Sequence, residues 1–330
     1  MKIFKFILLI NLFFINSVYS QNNFNDWLKY FSQRAAKSGI SNSTIDNILM
    51  NAEFLPNVIK YDRYQPEFYE DTNTYINKRV NKKKIKNGNT LFKKNKNFII
   101  KIEKEFQVEK ELLLALMGIE TNYGNYLGKM DIISSLATLG YDKRRSEFFS
   151  KELLTILKLI DEGLVDPNIL YGSWAGAFGN FQFMPSTIDK YALDYDNNNK
   201  IELKSIDDSF ASAANYISKI GWKKNSPCFK RISLKNNIPV KYLNTSASKI
   251  KYKKKLVKYK KYIDNYDDVE QYQNLISAII TPDIDIVDNA DKFKPAYVIF
   301  DNYELVLKWN RSLRFALAVC TLKREFENEL

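Results

Sequence analysis

The residue with the strongest claim to chemistry is Glu120. It closes the apolar run Leu112-Leu113-Leu114-Ala115-Leu116-Met117-Gly118-Ile119, so one carboxylate stands at the end of a helix that is otherwise built to be buried. Leu116 and Met117 precede it by four and three residues and Tyr123 follows by three, one turn away on either side. A carboxyl held against such neighbours loses hydration, which disfavours the charged form and would raise its pKa. That is how a carboxylic acid stays protonated near neutral pH and serves as a general acid. A helix-terminal Glu that simply turns to water is the competing reading, and spacing alone does not separate the two. One absence narrows the chemistry further: among 330 residues there is no histidine. No Ser-His-Asp or Cys-His pair, no HExxH zinc site and no imidazole shuttle can be built. Acid–base work must fall to carboxylates, lysines, tyrosines or a bound ion.

Two other segments could bind ligands. Gly172-Ser173-Trp174-Ala175-Gly176-Ala177-Phe178-Gly179-Asn180-Phe181-Gln182-Phe183 interleaves small residues, aromatics and amides. Glycine permits close backbone approach, and ring faces beside amide groups suit a sugar. A tight helix–helix packing turn is the alternative. Asp194-Tyr195-Asp196-Asn197-Asn198-Asn199-Lys200-Ile201 places oxygen ligands at positions 1, 3 and 5 of an EF-hand-like loop, with the Lys200 carbonyl at position 7. It departs from the standard loop, because Asn199 occupies the glycine position and no Glu stands at position 12. An Asp/Asn-rich turn without metal is the other reading.

The surrounding elements read as mostly helical. Phe24, Trp27, Leu28 and Phe31 recur at helical spacing, and Ser41 or Ser43 can cap a second helix through Ile45, Ile48 and Leu49. From Tyr75 to Phe106 a sparse apolar stripe on a lysine-rich background predicts solvated helices, and helical patterns continue to about residue 222. Residues 229–300 carry short apolar runs, which predict irregular structure with a few strands; 303–330 is helical again. Within the insert, 249–272 interleaves lysines with tyrosines. Such a stretch could track a polyanion by charge and stacking, but a charge run more often marks a solvated face, and no nucleic-acid partner is expected.

Residues 1–20 combine Lys2 and Lys5 with an apolar core from Ile7 to Ile15 and small residues Val18 and Ser20 before Gln21, the pattern of a secretory signal peptide. Gln21 offers no lipid-attachment site, and no later stretch is long and apolar enough to span a bilayer. The expected product is an exported, soluble periplasmic protein. Export admits a disulfide between Cys228 and Cys320; two separate small core residues fit equally well. At 45% hydrophobic and 27% charged the chain has a globular composition. Its net charge of +12 suits a polyanionic partner or simply reflects a lysine-rich composition.

Together these segments resemble the lytic murein transglycosylase B family, a lysozyme-like group of peptidoglycan-cleaving enzymes. The ordered matches are Gly118-Ile119-Glu120-Thr121, Gly124, Gly128-Lys129, Leu136-Ala137-Thr138-Leu139, Arg144-Arg145, Gly172-Ser173, Gln182-Phe183-Met184-Pro185, Ala214-Asn215-Tyr216, Gly221-Trp222, and Trp309-Asn310-Arg311-Ser312 followed by Phe315 to Val319. Upstream, Asp62 and Gln65-Pro66-Glu67-Phe68 fit as well. The resemblance implies a mainly α (α+β) fold: a signal peptide 1–20, an N-terminal helical region 21–110, a lysozyme-like catalytic core 111–228 with the EF-hand-like loop, a small irregular/β insert 229–300, and a C-terminal helix 301–330 returning to the core.

It also implies a reaction. Glu120 would act alone, protonating the leaving oxygen of the β-1,4 bond between N-acetylmuramic acid and N-acetylglucosamine. It would then take the proton of the muramic C6 hydroxyl as that group closes a 1,6-anhydro ring. Ordinary glycosidases need a second carboxylate; here the substrate would supply the nucleophile. Ser173 and Gln182 would line the cleft, Tyr216 and Asn310 would stand near the acid, Tyr75 would be a cleft tyrosine, and Arg144 and Arg145 would meet substrate carboxylate or peptide. Asp208 would close the calcium loop of Asp194, Asp196, Asn198 and Lys200. No cofactor is implied for the chemistry, only a structural Ca2+, and the partners are glycan strands acted on by a monomer. Phe315 stands where a tyrosine is usual, and Phe181 where a glycine is common, which would narrow a subsite. The alternatives are a water-using muramidase, a non-catalytic peptidoglycan binder and a basic polyanion-binding protein.

Overall fold

The computed structural model describes residues 23–64, 70–284 and 286–330. The leader at 1–20 and the Gln65-Pro66-Glu67-Phe68 signature lie outside the described residues. The described residues form two compact units, each drawn from two stretches: 23–64 with 127–209, and 70–126 with those from 210 onward.

In the first unit, helix α1 (23–37) buries Phe24, Leu28 and Phe31 at the spacing read from the sequence. Ser41 caps α2 (Asn42–Asn47), its hydroxyl accepting from the Thr44 N–H at 3.2 Å, which satisfies one of the helix's orphan donors. After α3 (Pro56–Arg63), the chain returns in β1 (Met130–Asp131), α8 (Ile132–Tyr141) and α9 (Ser146–Asp161). Strand β1 pairs antiparallel with β2 (Tyr171–Gly172). Helix α10 (Pro185–Tyr191) carries Pro185 in its first turn, where a missing N–H costs nothing.

In the second unit, α4 (Thr72–Arg79), α5 (Lys82–Lys94) and α6 (Lys96–Phe106) lead to α7 (Lys110–Thr121). Their inward residues Tyr75, Ile85, Phe92, Ile99 and Ile102 are buried, and the lysines between them face water apart from the half-buried Lys84. Helix α11 (Ile206–Lys219) supplies the unit with its residues from Phe210 onward. The insert is a mixed sheet in the order β3 (Phe229–Ile232), β7 (Ala296–Ile299), β6 (Ile276–Ile280), β4 (Leu243–Asn244), with β5 (Lys254–Lys255) also on β6. It has its own core, in which Leu256, Tyr259, Ile263, Tyr266 and Val269 pack with Ile279, Val298 and Phe300. The C-terminal segment is two helices, α12 (Asp301–Trp309) and α13 (Leu313–Glu329). Cys228 and Cys320 form a disulfide across 92 residues of chain, a loop length for which chain entropy alone contributes on the order of 4 kcal/mol. Among the described residues no helix is long and apolar enough to cross a membrane.

Candidate active site

Helix α7 is fixed at both ends. At its start, the buried Glu109 carboxylate accepts from Trp222 Nε1 at 2.5 Å and from the Asn225 N–H at 3.0 Å, and pairs with Lys323 at 3.3 Å. A negative charge at a helix N-terminus also meets the positive end of the macrodipole. At its other end, Lys84 Nζ donates to the Gly118 carbonyl at 2.6 Å. Burial, followed by the nearby Arg79 charge, pulls the Lys84 ammonium below its ordinary pKa. Residues Leu112 to Met117 are almost wholly buried, so the helix cannot rotate without exposing them.

Glu120 therefore emerges from the last turn at a defined place, half-buried, where its Oε1 accepts from Trp309 Nε1 at 2.9 Å. Trp309 is stacked on Tyr216, with ring centroids 5.1 Å apart and planes 22° from parallel. The Tyr216 hydroxyl donates to the Lys308 carbonyl at 3.2 Å. Trp309 is the functional candidate that the sequence reading did not single out. It stood inside the Trp309-Asn310-Arg311-Ser312 match, and its place beside Asn310 was the available signal. Asn310 follows it as the last cap of α12, and its carbonyl accepts from the Ser312 N–H at 2.8 Å. Ser312 in turn caps α13 by accepting from the Phe315 N–H at 3.2 Å. Glu120 and Tyr216 thus meet at one indole, and Asn310 is the next residue in the chain. Tyr75 is buried on α4 with the Arg79 guanidinium 3.5 Å above its ring.

The turn after Glu120 is set by unusual backbone. Asn122, Tyr123 and Gly124 all have positive φ, at 48°, 61° and 81°. Thr121 steadies it by donating to the Met117 carbonyl and accepting from the Gly124 N–H. Tyr123, expected to shield the acid, inserts its hydroxyl between Gly88 and Gly118. A Cβ at either glycine would lie 2.7 Å or 2.6 Å from that oxygen. The hydroxyl is buried without a hydrogen-bond partner, and burial pushes its pKa well above the ordinary tyrosine value. Two outcomes follow. Gly118→Ala should destabilise by about 1–3 kcal/mol through overpacking, in spite of alanine's better helix propensity. Tyr123→Phe should be neutral or stabilising, because it removes an unpaired buried polar group. Urea titrations read both, and a Tyr123→Phe loss above about 1 kcal/mol would mean that the hydroxyl has a partner.

The first unit holds the remaining expected residues. Ser173 sits in a tight turn: its hydroxyl accepts from the Ala177 N–H at 3.0 Å and its own N–H donates to the Ala177 carbonyl at 2.9 Å. Gln182 adopts φ 50° and donates through Nε2 to the Gly179 and Leu127 carbonyls at 2.9 and 3.3 Å. The glycine-rich segment is thus a strand and two turns in place of a helix-packing motif. Gly179, at φ +78°, lies so close to Leu203 that a Cβ would approach it to 2.5 Å. Phe181, expected to narrow a subsite, is only 2% exposed; its ring is spent on the core. Arg144 and Arg145 both grip one fully buried carboxylate, Asp62, with Arg144 Nη1 2.9 Å from Oδ2 and Arg145 on Oδ1. Each guanidinium has further donors, and the two side chains remain 47% and 39% exposed.

The acidic loop also assembles. Carboxylate oxygens of Asp194, Asp196 and Asp208 lie within 4.8 Å of one another. Asp208 is oriented by the Tyr195 and Glu202 N–H groups, both at 2.8 Å, and Asp194 by those of Asn198 and Asn199. Asn199 takes φ 66°, a left-handed conformation that asparagine tolerates better than most residues, so it fills the glycine position. Partial desolvation, then the charges of Asp208 and Asp194, hold the Asp196 carboxyl above its ordinary value. Converging hard oxygens that repel one another fit a divalent cation of the calcium type.

Comparison with known proteins agrees with this architecture. SltB3 from Pseudomonas aeruginosa, solved in complex with NAG-NAM-pentapeptide, superposes with a TM-score of 0.79 at 28% identity, covering 92% of this chain and 79% of that one. The Escherichia coli lytic transglycosylase Slt35 in complex with calcium shares the fold with a TM-score of 0.73 at 24% identity, covering 91% of this chain and 92% of that one. Membrane-bound lytic murein transglycosylase B of Escherichia coli strain K12 is 35% identical over 151 residues, which are 46% of this chain and 42% of that relative. The lysozyme-like, mostly helical fold expected from the sequence is the observed one. A sequence model of the Transglycosylase SLT domain matches residues 23–324, and the chain belongs to that family.

Proposed function

We propose that this chain is a lytic transglycosylase that cleaves the bond between N-acetylmuramic acid and N-acetylglucosamine in peptidoglycan without water. The observation that carries the reading is the Glu120 carboxyl, held by Trp309 Nε1 at 2.9 Å beside the stacked Tyr216 ring. A single oriented acid next to aromatic faces supports a site in which the substrate supplies its own nucleophile, whereas ordinary glycosidases pair two carboxylates. Glu120 gives its proton to the departing N-acetylglucosamine oxygen as the bond to C1 breaks. The muramic C6 hydroxyl then bonds to C1 and returns its proton to Glu120, leaving a 1,6-anhydro end and the starting acid. Ring closure is intramolecular, so most of its entropy cost is met by positioning. Asn310 and Tyr216 orient sugar near the acid, and Tyr75, Ser173 and Gln182 contribute to the cleft. Arg144 and Arg145 use donors not engaged by Asp62 to meet substrate carboxylates. The leader at 1–20 delivers the enzyme to the periplasm.

Digestion of purified sacculi followed by mass spectrometry tests this. Anhydro-muramyl ends are expected. Reducing ends would mean that water attacks, and an absence of released fragments would leave a non-catalytic binder.

We further propose that Asp194, Asp196, Asn198, Asp208 and the Lys200 carbonyl hold a structural Ca2+, whose chemistry is to neutralise the gathered carboxylates. Calcium at a hundredfold excess over its Kd would stabilise the fold by about 2.7 kcal/mol. Adding a chelator should therefore lower the melting temperature by several degrees. An unchanged melt would remove the ion from this loop.

A further inference from the structure

The lysine-rich insert contains an ordered device. After β5, residues Leu256–Tyr262 form a 3-10 helix, whose three-residue turn eclipses side chains at i and i+3 and advances about 6 Å per turn. This sorts the sequence into files. Leu256 and Tyr259 face inward and are fully buried, while Lys255, Lys258 and Lys261 stand in one exposed row. The interleaving of lysine and tyrosine seen in the sequence is therefore a separation in space.

The flanking lysines are neutralised and the row is not. Lys253 pairs with Glu304 at 2.7 Å and Lys260 with Glu270 at 3.0 Å. Among the described residues, no carboxylate pairs with Lys255, Lys258 or Lys261. Together with Lys254, Tyr242 and Tyr262 they line a groove of about 530 Å³. Lys254 Nζ lies 4.4 Å from the Tyr242 ring centroid and Lys261 Nζ 4.9 Å from that of Tyr262, and the two rings are 5.9 Å apart. The Lys254 hydrogen bond, then the charges of Lys254, Lys241 and Lys261, pulls the Tyr242 hydroxyl below its ordinary pKa. Like charges gathered on one face repel one another, so the row is poised for an anionic ligand. Its pitch selects a class of ligand. Alternate residues of an extended peptide point the same way and recur at about 6.6 Å.

We propose that Lys255, Lys258 and Lys261, with the Tyr242 and Tyr262 rings, form a second binding site for an extended acidic peptide whose carboxylates fall on alternate residues.

The probe is a fluorescein-labelled peptide alternating Glu with Ala, titrated by anisotropy against the full chain and against its Lys255→Gln/Lys258→Gln/Lys261→Gln variant. The three side chains are exposed, so the variant should melt with the parent and cleave short, peptide-free glycan at the parental rate. The expected result is at least tenfold weaker peptide binding by the variant, and tighter parental binding to the alternating peptide than to one of equal charge with its glutamates in a block. Equal peptide binding by parent and variant would overturn the proposal. So would displacement of the peptide by a thymidine oligonucleotide that binds more tightly through the same lysines, which would assign the groove to phosphate polymers. Lysine-dependent peptide binding in a protein that yields no anhydro ends would keep the groove and reject only the catalytic reading.

Discussion

Glu120→Gln should lower the rate of fragment release from sacculi by about 10³- to 10⁴-fold, at the upper end of what one acid–base group supplies. In the proposed reaction one residue serves twice, so the loss is large. Glutamine can neither give a proton to the leaving oxygen nor take one from the C6 hydroxyl. The change is close to isosteric, and the amide oxygen can still accept from Trp309 Nε1, which now donates to Oε1 at 2.9 Å. Substrate affinity and melting temperature should therefore hold while kcat falls, the signature of an interaction needed only in the transition state. Equal rates for the variant and wild type would remove Glu120 from the mechanism. A parallel fall in melting temperature would instead give Glu120 a structural role.

The largest effect on stability should come from Asp283→Ala. The Arg314 guanidinium is 3% exposed and donates to Asp283 Oδ1 at 2.9 Å, while Asp283 itself is 9% exposed. The same carboxylate accepts from the Thr72 N–H at 3.0 Å and from the Thr72 hydroxyl, so it also ties down the first turn of α4. Its removal strands a buried cation, a change that costs about 3–5 kcal/mol. Arg314 Nε is already without a partner, so little slack remains. Guanidinium denaturation should show the full loss in Asp283→Ala. The double variant Asp283→Ala/Arg314→Met should recover a good part of it, since a buried ion pair is often replaceable by apolar volume. If the single variant loses less than about 1 kcal/mol, the pair behaves as a solvated one. Because α4 carries Tyr75, the single variant should lose activity along with stability.

Much of this was legible along the chain. The apolar run 112–119, a cap at Ser41 or Ser43 and the texture change near residue 229 are local signals, which depend on neighbours within a turn or two. Glu120 was visible for the same reason, since one carboxylate ending such a run stands out without knowledge of anything distant. The acidic turn proposed to hold calcium was legible through spacing alone, and Asn199 takes its glycine position because asparagine can adopt positive φ. Tyr123 was read less well. Its ring was expected beside the acid, three residues away on a continuing helix, but three successive positive-φ residues turn the chain and send the hydroxyl to Gly88 and Gly118.

By itself, the sequence determined the kind of chemistry open to this protein. Without histidine, acid–base work was left to carboxylates, lysines, tyrosines or a bound ion, because protonation chemistry depends on which residue types exist at all. The tertiary structure alone decided the partnerships: Trp309 on Glu120 across 189 residues, Asp62 between two arginines, Asp283 under Arg314. It also decided that Leu256 and Tyr259 face inward while Lys255, Lys258 and Lys261 face outward, through a three-residue period that a mixed Lys/Tyr string does not announce. Hydrogen bonds and ion pairs act over a few ångströms in space, and chain separation says nothing about that distance until the core has packed.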